Sequence, residues 1–598
     1  MKPMRILLLM SCGFLVACGE SSEPMPLSTV EAVEQSSSSD ALATVSTGKQ
    51  VFFGDLHLHT ALSVDAYITN TRTMPDDAYR YAKGEPIEHV SGEKIQLQTP
   101  LDFMGVTDHA EMLGVAMAMG DPDDPLSEGE LAGDISSSDY ARSHGAFQRV
   151  IRAAATGEFA ELMDPQEALR ATRDAWQTII QAAEDHNQPG QFTTFVAYEW
   201  SSMPNLSNLH RNVVFAGTDV PAVPFSSGMS NKPEDLWRHL DEWRSKGSDA
   251  FAIPHNANAS RGLMYPLVDS EGMAVDVEYA DLRMRNEPIT EITQFKGTSE
   301  THTVLSPLDE FADFELWNTV VGGTMPVDPV PGSYVRAAYQ RGLALEADLG
   351  TNPFEFGLIG SSDSHDSSTA VEEFNFTGGH GNADATPEIR LNSKASTLTA
   401  SSLNFSASGL AAVWAGENTR GALFDAIRRK ETYATSGTRI RLRFDTSNGE
   451  PMGSAVTLDE RQLPSFDLWA QQDPNSAPLE RMQIIRVTAD GEAIFDVACA
   501  VGIPDPTTQQ CPKSAAGVDT QTCQLVGDGA GELRVSWQDD DYDAQNRTAY
   551  YVRVLENPTC RWSTWDAIRI GQAPPENKPQ TIQERAWSSP IWVSTQSR

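Results

Sequence analysis

The chain has 598 residues, 40% hydrophobic and 21% charged, which is too long for one small module and too apolar for general disorder. Forty-four basic against 83 acidic residues leave a formal charge of −39. That argues against a nucleic-acid partner, whose phosphates need a basic surface, and against docking on an anionic membrane by charge alone.

At the amino terminus Lys2 and Arg5 precede an apolar run from Ile6 to Ala17. Its length fits the core of a secretory signal and falls short of a membrane span. The run ends in Leu15-Val16-Ala17-Cys18-Gly19, which resembles the lipobox of bacterial lipoproteins. The resemblance implies removal of residues 1–17 and acylation of Cys18. With Gly19 in place of Asp, it further implies the outer membrane of a bacterial cell envelope, so that the only membrane contact is the lipid anchor. Residues 18–48 are rich in Ser, Glu, Thr and Ala, including Ser36-Ser37-Ser38-Ser39; they are expected to be a disordered tether.

From 49 to 440 short apolar strands alternate with helical stretches. Strands are expected at Val51–His59, Leu101–Thr107, Phe192–Glu199, Asn212–Ala216, Ala250–Pro254, Glu291–Phe295, Phe314–Trp317 and Phe356–Ile359. Helices are expected at Pro165–His186, Pro233–Arg244, Tyr334–Leu349 and Gly421–Lys430, and residues 115–135 look like a polar insertion. Alternation of this kind implies an α/β fold with a parallel sheet, as a closed barrel or an open sheet. From 441 to 598 strand-like runs such as Ile440–Phe444, Met482–Val487, Leu533–Trp537 and Tyr550–Val554 are separated by Gly, Pro, Asn and Asp turns. That pattern predicts a smaller all-β, sandwich-like domain. It holds Cys499, Cys511, Cys523 and Cys560. In an exported protein they suggest two disulfides, with three pairings open; a four-cysteine zinc site is the weaker reading, because no Cys-x-x-Cys pair occurs.

The chemistry gathers at strand ends. The first strand runs into His57-Leu58-His59, and residues two apart on a strand share a face, so both imidazoles can approach one metal. Later strands run into Thr107-Asp108-His109, Tyr198-Glu199-Trp200, Pro254-His255 and Asp363-Ser364-His365, and His210 immediately precedes a strand. The carboxyl ends of strands are where α/β folds place their sites. Six of the twelve His residues follow this rule, which predicts a multinuclear metal site. The other six do not: His144, His186 and His239 fall in helical stretches and His89, His302 and His380 in loops, with His380 placed in a loop over the site.

The order His-x-His, Thr-Asp-His, Glu, His, Pro-His and Asp-x-His resembles the PHP (polymerase and histidinol phosphatase) superfamily over roughly residues 50–370. The resemblance implies a distorted barrel of about seven βα units with up to three metals. It implies ligands at His57, His59, His109, Glu199, His210, His255, Asp363 and His365. Asp65 stands six residues after the second His, where that superfamily usually has another His. Phe53-Gly54-Asp55-Leu56-His57-Leu58-His59-Thr60, Phe195-Val196-Ala197-Tyr198-Glu199-Trp200 and Thr432-Tyr433-Ala434-Thr435-Ser436-Gly437 look like the bacterial family called domain of unknown function 3604, which implies an exported PHP-like protein.

Imidazoles with carboxylates suit two or three divalent transition metals, and this mixture does not choose among zinc, manganese and iron. Paired metals lower the pKa of a shared water, and Asp363 or His365 would orient that nucleophile. Three divalent ions outweigh the charge of Asp65, Glu199 and Asp363, so an acidic protein can still take a small anionic ester. Lys296 and Arg211, with Arg261 behind them, are the expected cationic contacts. Tyr198, Trp200 and Tyr265 are either pocket walls or core. No Gly-x-Ser-x-Gly elbow or Walker-type loop occurs. The expected activity is hydrolysis of a phosphomonoester or phosphodiester, with a sulfate or other ester as the alternative. A metal- or glycan-binding surface lipoprotein without catalysis is the reading from another class.

Overall fold

The computed structural model describes residues 48–156, 162–394 and 400–596. The expected signal peptide, Cys18 and nearly all of the tether lie outside the described residues.

Strand Gln50–Asp55 sits near the middle of a large sheet. On one side it pairs in parallel with Phe103–Val106, which pairs in parallel with Thr193–Trp200. The sheet then turns antiparallel through Arg211–Phe215 and Ala250–Pro254. All eight residues of Thr193–Trp200 are buried, which explains its unbroken apolar reading. Gly54 permits the tight approach of Gln50–Asp55 to its parallel neighbour: a Cβ there would lie 2.4 Å from the Phe103 ring. Strands Ile289–Gln294 and Gly357–Gly360 are parallel to each other in a separate three-stranded sheet. The architecture is therefore a mixed α/β one, parallel in part and antiparallel in part.

The helices begin where local chemistry favours it. In Pro165–His186, Pro fills the first position and the Asp164 side chain accepts from the Gln166 N–H, a standard satisfaction of an orphan donor. Helices Pro233–Arg244 and Val335–Leu349 agree with the sequence pattern. The stretch expected as a polar insertion is instead helical at Val115–Gly120 and Ala132–Ile135. Leu126, Leu131 and Ile135 are buried there with Ile68 and Val150, so its apolar minority forms a satellite core. The expected strand Phe314–Trp317 is a turn-rich loop. Its aromatic residues are spent on side-chain packing, Trp317 stacking on Phe405 at 5.4 Å.

On its other side Gln50–Asp55 pairs with Leu410–Ala415, then Thr432–Thr435, then Arg585–Ser588. Backbone pairing thus runs unbroken across the expected boundary near residue 440. The carboxyl-terminal region is strand-rich but not all-β, because Trp562–Arg569 is a helix. Its Trp562 stacks on Phe376 at 4.7 Å, a partner nearly two hundred residues earlier that no local pattern announces. The cysteines pair as Cys499–Cys511 and Cys523–Cys560.

Two buried carboxyls in this region, Glu556 and Glu584, are pushed up to about 8 by burial, in spite of hydroxyl donors at Ser476 and Ser436. A carboxyl raised in the folded state contributes stability that is complete below the ordinary value of 4.5 and is lost as pH rises through about 8. The unfolding midpoint is expected to fall between about pH 4.5 and 8 and to level off above that. Glu556→Gln, which stays neutral and can still accept from Ser476, should make that fall shallower while leaving the acid side unchanged. A variant whose fall is as steep as the parent's would contradict the assignment.

Candidate metal centre

The strand Gln50–Asp55 ends two residues before His57, and between His57 and His59 the chain forms a parallel bridge, Leu58 to Ser364. Asp55 fixes this segment: one carboxylate oxygen accepts the backbone N–H groups of His57 at 3.1 Å and Ser362 at 3.0 Å, and the other accepts the Thr369 hydroxyl. The backbone carries on the tie, with Asp363 N–H donating to the His57 carbonyl and His59 N–H to the Ser364 carbonyl. Asp363 sits at φ 56°, a left-handed conformation costly for a non-glycine and held here by those bonds. Asp108 accepts from both the backbone and the hydroxyl of Thr60. The loops carrying His57, His59, His109, Asp363 and His365 are thereby locked together.

All nine residues named as ligands from the sequence converge. Their ligand atoms form four overlapping groups with separations within 4.8 Å: His59, Asp65, His109 and His365; His57, Glu199 and His255; His57, His59 and Asp363; His109, Glu199 and His210. Glu199 is the hub. One oxygen lies 2.6 Å from His210 and 3.1 Å from His255; the other lies 3.1 to 3.5 Å from His57, His59 and His109. Asp363 lies 3.1 Å from His57 and 3.4 Å from His59, and Asp65 spans His109 at 2.9 Å and His365 at 3.0 Å. Asp65 therefore joins the cluster in place of an imidazole.

The outer nitrogens set the tautomers. His57 Nδ1 meets Glu291 at 2.9 Å, His59 Nδ1 meets the Ser63 hydroxyl at 2.9 Å, and His365 Nδ1 meets the Asp363 carbonyl at 2.8 Å. The acceptors at Nδ1 leave Nε2 of His57 and His365 facing inward as a lone-pair donor, the usual support for a metal ligand, and the Ser63 hydroxyl orients the His59 ring. Glu291, Ser63 and Gln294, which donates to Asp363 at 2.5 Å, lie outside every sequence motif. A signal for Glu291 existed: a charged residue inside the fully buried strand Ile289–Gln294 needs a partner.

His57 Nε2, His59 Nε2, His210 Nε2, His255 Nδ1 and Glu199 Oε2 are buried with no hydrogen-bond partner. Buried polar atoms are seldom left so. Imidazole lone pairs crowded against carboxylate oxygens repel unless a proton or a cation stands between them. The donor set fits divalent metals of the zinc, manganese or iron kind. Without them the site makes protons do this work. Burial alone would raise Glu199, but His109, His255 and His210 hold it well below the carboxylate range. Burial opposes the charging of His109, yet Asp65 and Glu199 raise it to about 10. Burial and the neighbouring His57 push His255 down to about 3. Such opposed shifts mark a functional cluster.

The expected cations divide. The Lys296 ammonium contacts Asp363 and lines the cavity above the cluster. Arg211 does not reach it: its guanidinium binds Glu287 at 2.9 Å and is 1% exposed. The reason is strand geometry, since adjacent residues face opposite ways, and His210 takes the inward side. Arg261 bonds the Asn205 carbonyl near the surface. Tyr198, Trp200 and Tyr265 are buried core residues. His380 stacks on His365 at 4.9 Å and lines the cavity, as does His144, which the sequence pattern treated as helix packing. His186 instead pairs with Asp76, His89 with Asp366, and His239 stacks on Phe225.

The family model described as "Protein of unknown function (DUF3604)" matches residues 46–446 and 445–595. No curated protein matches the chain. Among solved structures, one from Bacteroides vulgatus ATCC 8482 is described as a two-domain protein containing a predicted PHP-like metal-dependent phosphoesterase. It is 10% identical, with 76% of this chain and 89% of that chain covered and a TM-score of 0.28. At that score the likeness transfers neither fold nor activity.

Proposed function

The chain belongs to the family described as protein of unknown function (DUF3604), and from that premise and the ligand cluster we propose that it is a metal-dependent hydrolase of esters, with a phosphoester as the favoured substrate. The observation that carries this reading is the convergence of nine ligand residues, five of which (His57, His59, Glu199, His210 and His255) hold a buried polar atom with no hydrogen-bond partner. A catalytic metal site keeps about three protein ligands per ion and an open position, and nine residues shared by two or three ions beside a cavity fit that count. Two or three divalent cations held by these residues would supply Lewis acidity and an acidified water.

The remaining roles fall to the chain itself. Asp363, fixed by Gln294 and Lys296, presents its other oxygen to His57 and His59 and can orient a nucleophile. The Lys296 ammonium offers charge to an anionic oxygen at the cluster. His365, with Nδ1 committed to a carbonyl, has only Nε2 to offer. The backbone tie between His59 and Ser364 supports a distorted barrel in which strand ends from both sheets ring the site. The amino-terminal pattern supports an exported, lipid-anchored protein.

The test is metal removal by a chelator and reloading with zinc, manganese or iron, followed by a chromogenic panel of phosphomonoester, phosphodiester, sulfate ester and carboxyl ester. Bound metal of two to three ions per chain and hydrolysis only after reloading are expected. Metal-loaded protein inert across the whole panel would end the enzyme reading.

A further inference from the structure

The cavity over the cluster has a volume of about 890 Å3, near the upper end for small-molecule sites. Its two ends differ in chemistry. The floor carries Asp65, His109, Glu199, His210, Asp363 and His365, with Lys296 beside them. The walls are largely apolar and come from separate elements: Ile68, Val115, Phe147 and Leu169 on the helices of the first part of the chain, and Trp317 and Phe405 from two loops. The last two are the stacked pair. Phe147 and Leu169 keep part of their surface accessible, whereas Ile68, Val115, Trp317 and Phe405 touch the cavity while staying almost wholly buried.

The charge census is as informative as the apolar wall. Among the described residues, Lys296 is the single Lys or Arg that lines the cavity. Glu111 also lines it, and its Oε2 is buried without a hydrogen-bond partner. A polyanion would need further cations away from the floor and would meet Glu111 instead. Ser201, Ser202, Ser226, Ser227, Asn231 and Asn256 also line the cavity, but apolar groups dominate its lining, and burying sugar or peptide groups against them would be costly.

We propose that the substrate is an ester of one anionic acid group with a bulky apolar alcohol, aryl or alkyl. The acid group sits at the metal end beside Lys296, and the alcohol portion lies along the wall formed by Val115, Phe147, Trp317 and Phe405. This rests on the hydrolase reading above and narrows it. The apolar portion supplies binding energy distant from the reacting bond, while the charged end fixes orientation.

The test is binding of inert phosphonates to the full, metal-loaded chain, which needs no turnover. Phenylphosphonate should bind roughly 10- to 100-fold more tightly than methylphosphonate, the gain expected for burying a ring of that size. A methylene bisphosphonate should gain nothing comparable once chelation of free metal is controlled. Phe147→Asn and, on a different element, Val321→Asn should each cut the phenyl advantage several-fold. Val321 also lines the cavity, and the pair guards against one variant failing to fold. Equal binding of the phenyl and methyl compounds would overturn the apolar-alcohol proposal and leave the hydrolase reading standing. Binding of neither compound would remove both.

Discussion

Glu199→Gln is expected to lose bound metal and to lower kcat/KM on order of 10^3-fold or more. The side chain keeps its shape but loses its charge, and one oxygen becomes an amide that donates instead of accepting. Glu199 lies within 3.5 Å of five imidazoles, more than any other carboxylate of the cluster. It belongs to two of the four ligand groups, so its loss should disturb more than one cation. Lewis-acid assistance supplies several kcal/mol, and about 1.4 kcal/mol is a factor of ten. Glu291→Gln supplies the comparison. Glu291 contacts only the outer nitrogen of His57, so its change should cost about 10- to 100-fold, as outer-shell partners do. Metal analysis and turnover on the same folded samples decide the matter. Full metal content in Glu199→Gln, or a larger loss in Glu291→Gln, would refute the hub assignment.

Arg553→Met should have the largest effect on stability, about 3–5 kcal/mol. Arg553 is fully buried and donates to Gln483, to both oxygens of Glu300 and to both oxygens of Asp309. Arg336, Tyr551 and Trp587 complete the network around Glu300. Burial raises the cost of charge on Glu300 and Asp309, but Arg553 and Arg336 hold both below the carboxylate range. Removing one guanidinium leaves two buried carboxylates sharing the other, and breaking such a set costs far more than it gains by forming. The loss would be a large share of a typical stability of about 5–15 kcal/mol. Arg534, half exposed and paired with Glu532, is the control; Arg534→Met should change stability by about 1 kcal/mol or less. Urea unfolding midpoints at constant slope measure both. An Arg553→Met variant as stable as the control would show that the network is dispensable.

Arg553 also shows why the carboxyl-terminal region reads differently in the fold than along the chain. Composition changes near residue 440, yet Thr432–Thr435 pairs with Arg585–Ser588, and the Arg553 network reaches back to Glu300 and Asp309. Strand propensity is local, whereas the choice of pairing partner is made by closure of a long chain. The helix Trp562–Arg569 and the loop Phe314–Trp317 escaped for the same reason. Both place aromatic residues against distant partners, Phe376 and Phe405.

What the sequence determined by itself was most of the ligand set. Eight candidates sat at a strand end or against one, where strand ends in a mixed α/β fold converge, and the superfamily resemblance implied the same eight as ligands; Asp65, on the short helix Val64–Ile68, came only from its spacing in that resemblance. Arg211 was expected at the site and turns away to Glu287, because neighbours along a strand face opposite ways. Tertiary structure alone decided what surrounds those ligands. Glu291, Ser63 and Gln294 reach the site from sequence-distant segments, the disulfide pairing was one of three, and the apolar wall is assembled from helices and loops that share no motif. Motifs record what one segment does to its own backbone and ligand atoms. A cavity is a property of the spaces between segments, and only their packing fixes it.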